Sequence, residues 1–454
     1  MYTRIATLSL IVLLALGVGA CDLLDVENPN TLEEDQLSEP TAAEPMLNGL
    51  QANVTEGVAW MLAPYSTATD ELIWVGSRSA WLGLSRGFIS DPNNEFTDTR
   101  FLEVAEAEWM SREFISRLEA FREEGTLSDD AILAEAYLHG AIIKTTVGDM
   151  FSNWAFSDQR EAGEPIGEEN MTQLYDQALD FVNKGLALDA GFETELTAMK
   201  ARVLFSRSVW DKAHPAGSVN TSNPLADGED AANAATAAQT ALDLMEADDF
   251  AFDLPVTSAG DFISDVAFQV NQRDELIPDT TVHVNTETPN GGVVSEVIFE
   301  DPVDNVPHPQ IETIINTRYG GDLDEFVDVT VVSAREMHLI RAEVALANGD
   351  TGPGSTFRTQ INELRALNGL SAYDGPDEEG VSRIDLIEDS RQANLYLQGR
   401  RLVDMYRFDE PSTFDLPPGS DALDQGWASS SGAVQNPGTF FPLPNTEIRA
   451  NPNL

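Results

Sequence analysis

The stretch MTQLYDQALDFVNKGLALDAGFETELTAMKARVLFSRSVWD, residues 171–211, decides the fold class. In its first part Leu174, Tyr175, Ala178, Leu179, Val182 and Leu186 recur at helical spacing. In its second, Leu196, Met199, Val203, Leu204 and Val209 do the same. Apolar residues three and four apart lie on one helix face, so each run predicts an amphipathic helix of about 18 residues. Upstream the pattern repeats. Trp109, Phe114, Leu118 and Phe121 stripe residues 103–124, and Ile132, Leu133, Ala136, Tyr137, Gly140, Ile143 and Val147 stripe 129–147, with Ser128 or Asp129 able to cap the second run. Helices of this length joined by short links suggest TPR-like hairpins that stack to share one core, although the strict TPR consensus is absent.

Outward from these pairs, Met46, Leu50, Val54 and Val58 predict a first helix over about 40–62. Ala-rich 229–247 reads as another helix, and helices return at 333–348, 354–367 and 382–407. Residues 64–100, with Tyr65, Trp74, Trp81, Phe88 and Phe96 among Ser, Gly, Asp and Asn, read as loops and short turns. Residues 214–228 read as a loop. Residues 250–332 read as loops with short strands, since Val282–Val284 and Val293–Phe299 flank Asn290-Gly291-Gly292. The tail 408–454 is rich in Pro, Gly and Ser, but Phe414, Leu416, Trp427, Phe440, Phe441 and Leu443 suggest that it packs across the helical body. The expectation is a mostly α fold. Its helical scaffold covers about 40–247 and 333–407, with an insertion at 250–332 and a packed tail.

The single cysteine, Cys21, excludes an intramolecular disulfide framework. Arg4, the apolar run Leu8–Leu16 and the small residues before Cys21 have the architecture of a signal peptide over residues 1–20. Val18-Gly19-Ala20-Cys21 resembles a bacterial lipobox, with Val where Leu is usual, which makes Cys21 the expected lipidation site. An ordinary secretory signal with a free Cys is the alternative. The chain carries 77 acidic and 26 basic residues, a formal charge of −51. The acid is dispersed, and only Lys144, Lys184, Lys200 and Lys212 are lysines. This balance looks like adaptation to high salt, where screening reduces self-repulsion, and it argues against nucleic-acid binding.

Several segments, in order, resemble the SusD/RagB family of surface lipoproteins. Cys21-Asp22-Leu23-Leu24-Asp25-Val26-Glu27-Asn28-Pro29 is similar to its lipidated lead, Val147-Gly148-Asp149 to the turn closing one helix, and Ala198–Phe205 to another helix. Arg335–Leu346 with Gly349-Asp350, Ile361–Arg365, Arg391–Arg407 and Phe441–Ile448 are similar to its C-terminal motifs. Ser390 and Gln398 stand where acidic residues are usual. The resemblance implies a SusD-like scaffold of four TPR-like helix pairs. It also implies an outer-membrane lipoprotein, facing the extracellular side, that captures a glycan, oligosaccharide or peptide. Its partner would be a SusC-like TonB-dependent transporter, and no covalent chemistry or cofactor is expected.

Sugars stack their C–H faces on exposed rings and bond polar side chains through hydroxyls, so Tyr65, Asp70, Trp74, Arg78, Trp81 and Asn93 are the candidate ligand contacts. The same rings would otherwise fill the core beneath a loop. Gly83-Leu84-Ser85-Arg86-Gly87 matches a nucleophile-elbow pattern but is followed by Ser90-Asp91-Pro92-Asn93-Asn94, which is loop chemistry. The five histidines are scattered without zinc spacing. Asp301, Asp304 and Asn305 could ligate Ca2+ but lack EF-hand spacing. Arg400 or Arg401 is expected to pair with a scaffold carboxylate. Two other functions fit less well: a lipid-anchored TPR scaffold for envelope assembly, and a glycoside hydrolase, which needs two positioned carboxylates.

Overall fold

The computed structural model describes residues 36–86, 88–158, 161–213, 223–258, 262–287, 293–319, 323–408 and 440–454. Cys21, the signal peptide, Phe414, Leu416 and Trp427 lie outside them.

Eight helices pack in four hairpin pairs. The first packs α1 (Ala43–Thr67) on α3 (Glu95–Glu123), with a short α2 (Ser79–Ser85) between them. The second packs α4 (Asp130–Met150) on α5 (Thr172–Leu188), and the third packs α6 (Glu193–Ala213) on α7 (Gly228–Leu244). The fourth, beyond the insertion, packs α9 (Ala334–Ala347) on α10 (Thr356–Leu367). Neighbouring hairpins meet through α3–α4, α5–α6 and α7–α9. The periodic stripes are the buried faces: Leu174, Val182, Leu196, Met199 and Val203 are all fully enclosed.

The helices are those the periodicity predicts, and those joined by short links do pack on each other, but each packs more extensively on the partner reached through a longer segment. Short links such as Asp189–Phe192 join neighbouring hairpins, whereas the hairpin partners are separated by longer segments. Local pattern marks which face of a helix is apolar, not which neighbour covers it. Caps fall where side-chain oxygens can accept orphan amides: Asn94 for α3, Asp129 for α4 and Ser333 for α9.

Residues 64–100 correct the loop expectation. Helix α1 continues through Pro64 to Thr67, β1 (Leu72–Trp74) follows, and α2 and the start of α3 take up much of the rest. Within 250–332, β4 (His283–Glu287) and β5 (Val293–Val297) form the expected hairpin. The other strands pair at long range, β1 with β3 (Leu276–Pro278) and β2 (Ala251–Leu254) with β6 (Val329–Ser333), all antiparallel. A helix missed by the strand reading, α8 (Pro309–Thr317), begins at the His308 cap and buries Ile311, Ile314 and Ile315. The segment 382–407 is two helices, α11 (Arg383–Asn394) and α12 (Arg401–Phe408). The turn between them holds Leu397 and Gly399 at positive φ. In the described end of the tail, Phe440 and Phe441 are buried, and Phe441 bridges to Phe151.

The fourth hairpin has a small core of its own around Ala342, Phe357, Ile361 and Leu386. A buried charged hub lies at its junction with the rest. Arg407 bonds Glu343, Asp404 and the Pro224 carbonyl; Arg391 bonds Asp404; Arg400 bonds Glu336; and Arg202 bonds Asp149. Both arginines of the expected pair are therefore engaged, Arg400 with Glu336 at 2.9 Å and Arg401 with Asp70 at 2.7 Å. Ser390 carries no charge, and Arg391 takes its carboxylates from α12 and α9 instead.

Candidate functional site

The six candidate contacts divide into core and surface. Trp81 is fully buried and stacks on Phe96 with ring centres 3.8 Å apart. Tyr65 is 1% exposed and lies against Phe441. Asp70 is buried and bonds Arg401 through both carboxylate oxygens at 2.7 Å. These three placements correct the expectation of ligand contact. Apolar ring area is removed from water against α1 and α3, and a buried carboxylate needs a cation more than a sugar does.

Trp74, Arg78 and Asn93 do reach the surface. Trp74 is half-buried at the end of β1, and its backbone amide donates to the Ser85 hydroxyl at 3.2 Å. That bond occupies the serine of the Gly83–Gly87 motif, and Ser85 is itself buried on α2. Arg78 is exposed, pairs with Glu95 at 2.8 Å, and sits 4.5 Å over the Phe96 ring. Asn93 accepts a 2.8 Å bond from Asn445 of the C-terminal segment. Val75 and Phe88, 50% and 38% exposed, add apolar surface to this rim.

Glu275 fixes the rim, a role the sequence does not signal. Its carboxylate accepts the Ser77 and Arg78 amides at 2.9 Å each and the Ser77 hydroxyl at 2.7 Å. Burial opposes its charge, but these hydrogen bonds outweigh it and hold its pKa below the ordinary glutamate value. Gly76 allows the close approach: a Cβ there would meet the Glu275 backbone at 2.6 Å.

A cleft of about 280 Å³ opens between α8, β6 and the α11–α12 turn. Gln310, Thr313, Arg318 and Tyr319 line one side, and Asp328, Thr330 and Ser333 another. Tyr396, Leu397 and Gln398 form the remaining wall. Arg335 and Asp249, also lining it, neutralise each other through two 2.7 Å bonds. Among the described residues the Arg318 guanidinium makes one long 3.5 Å bond, to Thr330, and no carboxylate pairs with it. The polar lining is thus hydroxyl, amide, guanidinium and two exposed carboxylates, Asp249 and Asp328, beside apolar Leu62, Ala251, Ile314, Val329 and Leu397, a set that can exchange hydrogen bonds with a polyhydroxylated ligand. None of these residues was a sequence-based candidate. The available signal was the helical spacing of Ile311, Ile314 and Ile315 behind His308-Pro309, which places Thr313, Thr317 and Gln310 on an outward face.

Asp301 and Asp304 are held by Arg365, Asp301 through bonds of 2.7 and 3.0 Å and Asp304 through one of 3.4 Å. Among the described residues no group of three His, Cys, Asp or Glu side chains is arranged to hold a metal ion.

No family profile matches the chain, and no curated protein matches it by sequence. Solved structures do match. A SusD superfamily protein from Bacteroides fragilis is 15% identical, over 92% of this chain and 99% of that one, with a TM-score of 0.62. A SusD homolog from Bacteroides thetaiotaomicron is 12% identical over 93% and 98%, with a TM-score of 0.65. A structure solved with xylogluco-oligosaccharide is 11% identical over 90% and 97%, with a TM-score of 0.57. The chain has the SusD fold.

Proposed function

We propose that this SusD-fold chain is a surface glycan-capture protein that holds an oligosaccharide and delivers it, unaltered, to a SusC-like TonB-dependent transporter in the outer membrane. The observation that carries this reading is the cleft at Tyr319, where paired charges and hydroxyls sit beside apolar side chains, built from the insertion onto a scaffold shared with an oligosaccharide-bound structure. Trp74, with Arg78 and Asn93 nearby in sequence, supplies a second surface at which a sugar chain can stack. Lipid on Cys21 tethers the protein beside its transporter, where effective concentration substitutes for high affinity. No helix among the described residues is long and apolar enough to cross a membrane. In this reading the N-terminal lipid is the membrane attachment.

A glycan screen with the purified protein tests capture. Binding without change in the sugar is expected, and Arg318→Ala should weaken it about tenfold, the loss of one charged hydrogen bond of roughly 1.5 kcal/mol. Trp74→Ala should weaken it similarly by removing a stacking ring. Turnover of the glycan, or binding untouched by both changes, refutes the reading. Cys21→Ala should release the protein from membranes; a variant still retained there refutes the anchor.

A further inference from the structure

The α11–α12 turn forms one wall of the cleft, and its conformation is not one its sequence favours. Leu397 sits at φ 58°, a left-handed conformation that costs a bulky residue of order 1–2 kcal/mol. Such a turn persists only where its surroundings over-determine it. The main restraint is Glu71, which follows α1 and lies more than 300 positions away in sequence. The Glu71 carboxylate accepts the Leu397 amide at 2.6 Å, and the Tyr396 hydroxyl donates to the Glu71 backbone carbonyl at 2.8 Å. Both bonded residues face the cleft.

We propose that Glu71 is a positioning residue for the ligand cleft, and that ionisation of its carboxyl tightens the Tyr396–Leu397–Gln398 wall, so that ligand capture strengthens as pH rises. The proposal rests on the cleft's being the glycan site.

The setting of Glu71 is mixed. It is fully buried, and its second oxygen has no hydrogen-bond partner at ordinary distance, the Ser66 hydroxyl facing it. Burial, partly offset by the Leu397 amide, pushes its pKa up to about 7; neighbouring Asp70 adds to the rise and Arg401 opposes it. The other titratable groups around it are Tyr65 on α1, Tyr319 after α8, Tyr396 in the turn and Asp279 after β3. The three tyrosines stay protonated well above this range, and Asp279 is itself pushed up to about 6 by burial. An ionised acceptor makes a hydrogen bond roughly twice as strong as a neutral one. The bond that restrains Leu397 therefore strengthens as pH passes 7.

The linkage sign separates this local effect from overall stability. A carboxyl with a folded pKa near 7 and an unfolded value of 4.5 binds more protons in the folded state between those values. Its contribution to global stability therefore falls as pH rises through that window. Greater protection of the turn at higher pH would therefore not come from Glu71's own contribution to global stability.

Amide hydrogen exchange of residues 395–400 in the ligand-free full chain, corrected for intrinsic rates, tests the clamp. Protection should rise about tenfold between pH 6 and 8 in the wild type. It should be flat with pH in Glu71→Gln, which keeps an acceptor without charge. Flat or falling protection in the wild type overturns the proposal, and this arm needs no variant to fold. In a second arm, a xylogluco-oligosaccharide is titrated calorimetrically at both pH values. A several-fold tighter wild-type affinity at pH 8, abolished in Glu71→Gln, supports the coupling to the site. Equal affinities at both pH values overturn the coupling. If other sugars bind but only outside the cleft, the glycan reading of the cleft fails, while the exchange result still judges the clamp.

Discussion

Replacing Arg407 with Met should be among the most damaging single changes in this protein. Arg407 is fully buried on α12, and its guanidinium makes bonds of 2.9 Å to Asp404, 3.0 Å to Glu343 and 2.9 Å to the Pro224 carbonyl. Glu343 is also fully buried, and its other bond is from the Ala226 amide at 2.8 Å, with Arg391 at 3.6 Å. Methionine fills much of the volume but leaves Glu343 without its principal cation. Breaking a buried pair from one side costs about 3–5 kcal/mol, because the remaining charge is desolvated without compensation. That is a large share of a total stability of roughly 5–15 kcal/mol. The double change Arg407→Met with Glu343→Met should recover much of the loss, since an apolar pair of similar volume removes the orphaned charge. Guanidinium unfolding of the wild type, both singles and the double gives the coupling energy. A single-variant cost below about 1 kcal/mol, or a double variant no better than the worse single, would refute the claim that pairing makes these buried charges tolerable.

Three further outcomes follow from the same geometry. Trp81→Ala should cost about 3–5 kcal/mol in unfolding experiments, since it deletes a fully enclosed ring stacked at 3.8 Å, whereas a merely surface role predicts almost no loss. Gly76→Ala should destabilise by about 1–3 kcal/mol and raise exchange of the Ser77 and Arg78 amides, because its Cβ would collide with Glu275 at 2.6 Å; wild-type exchange there would contradict the bracket. With a formal charge of −51, the melting temperature should climb as KCl is raised from 0.1 to 1 M, where the screening length shrinks from about 10 to about 3 Å; a flat profile would remove self-repulsion as a factor.

The helices were legible because burial writes a period into sequence. Leu174, Val182, Leu196 and Val203 were assigned to buried faces from spacing alone, and all four are enclosed. Caps such as Asp129 were legible for a similar reason, as their chemistry is local. The aromatic candidates were not. Trp74 and Trp81 lie seven residues apart and both read as loop rings, yet one is half-exposed at a strand end and the other is sealed against Phe96. No local feature separates them, because exposure depends on what packs above. The broken helix at 395–400 was missed for a related reason. Leu397 is a good helix former, and its left-handed conformation is held by a carboxylate remote in sequence.

By itself, then, the sequence determined a mostly helical, strongly acidic chain, the faces its helices bury and the order of motifs resembling SusD/RagB proteins. Those properties follow from local period, propensity and composition. Tertiary structure alone decided which helices pair, which rings reach solvent and where a cleft opens. Helix partners, the β1–β3 and β2–β6 pairings, the Arg401–Asp70 bond and the Glu71–Leu397 bond all join residues far apart along the chain. Such contacts are selected by the free energy of the whole packed arrangement, and no window of sequence contains both halves of them.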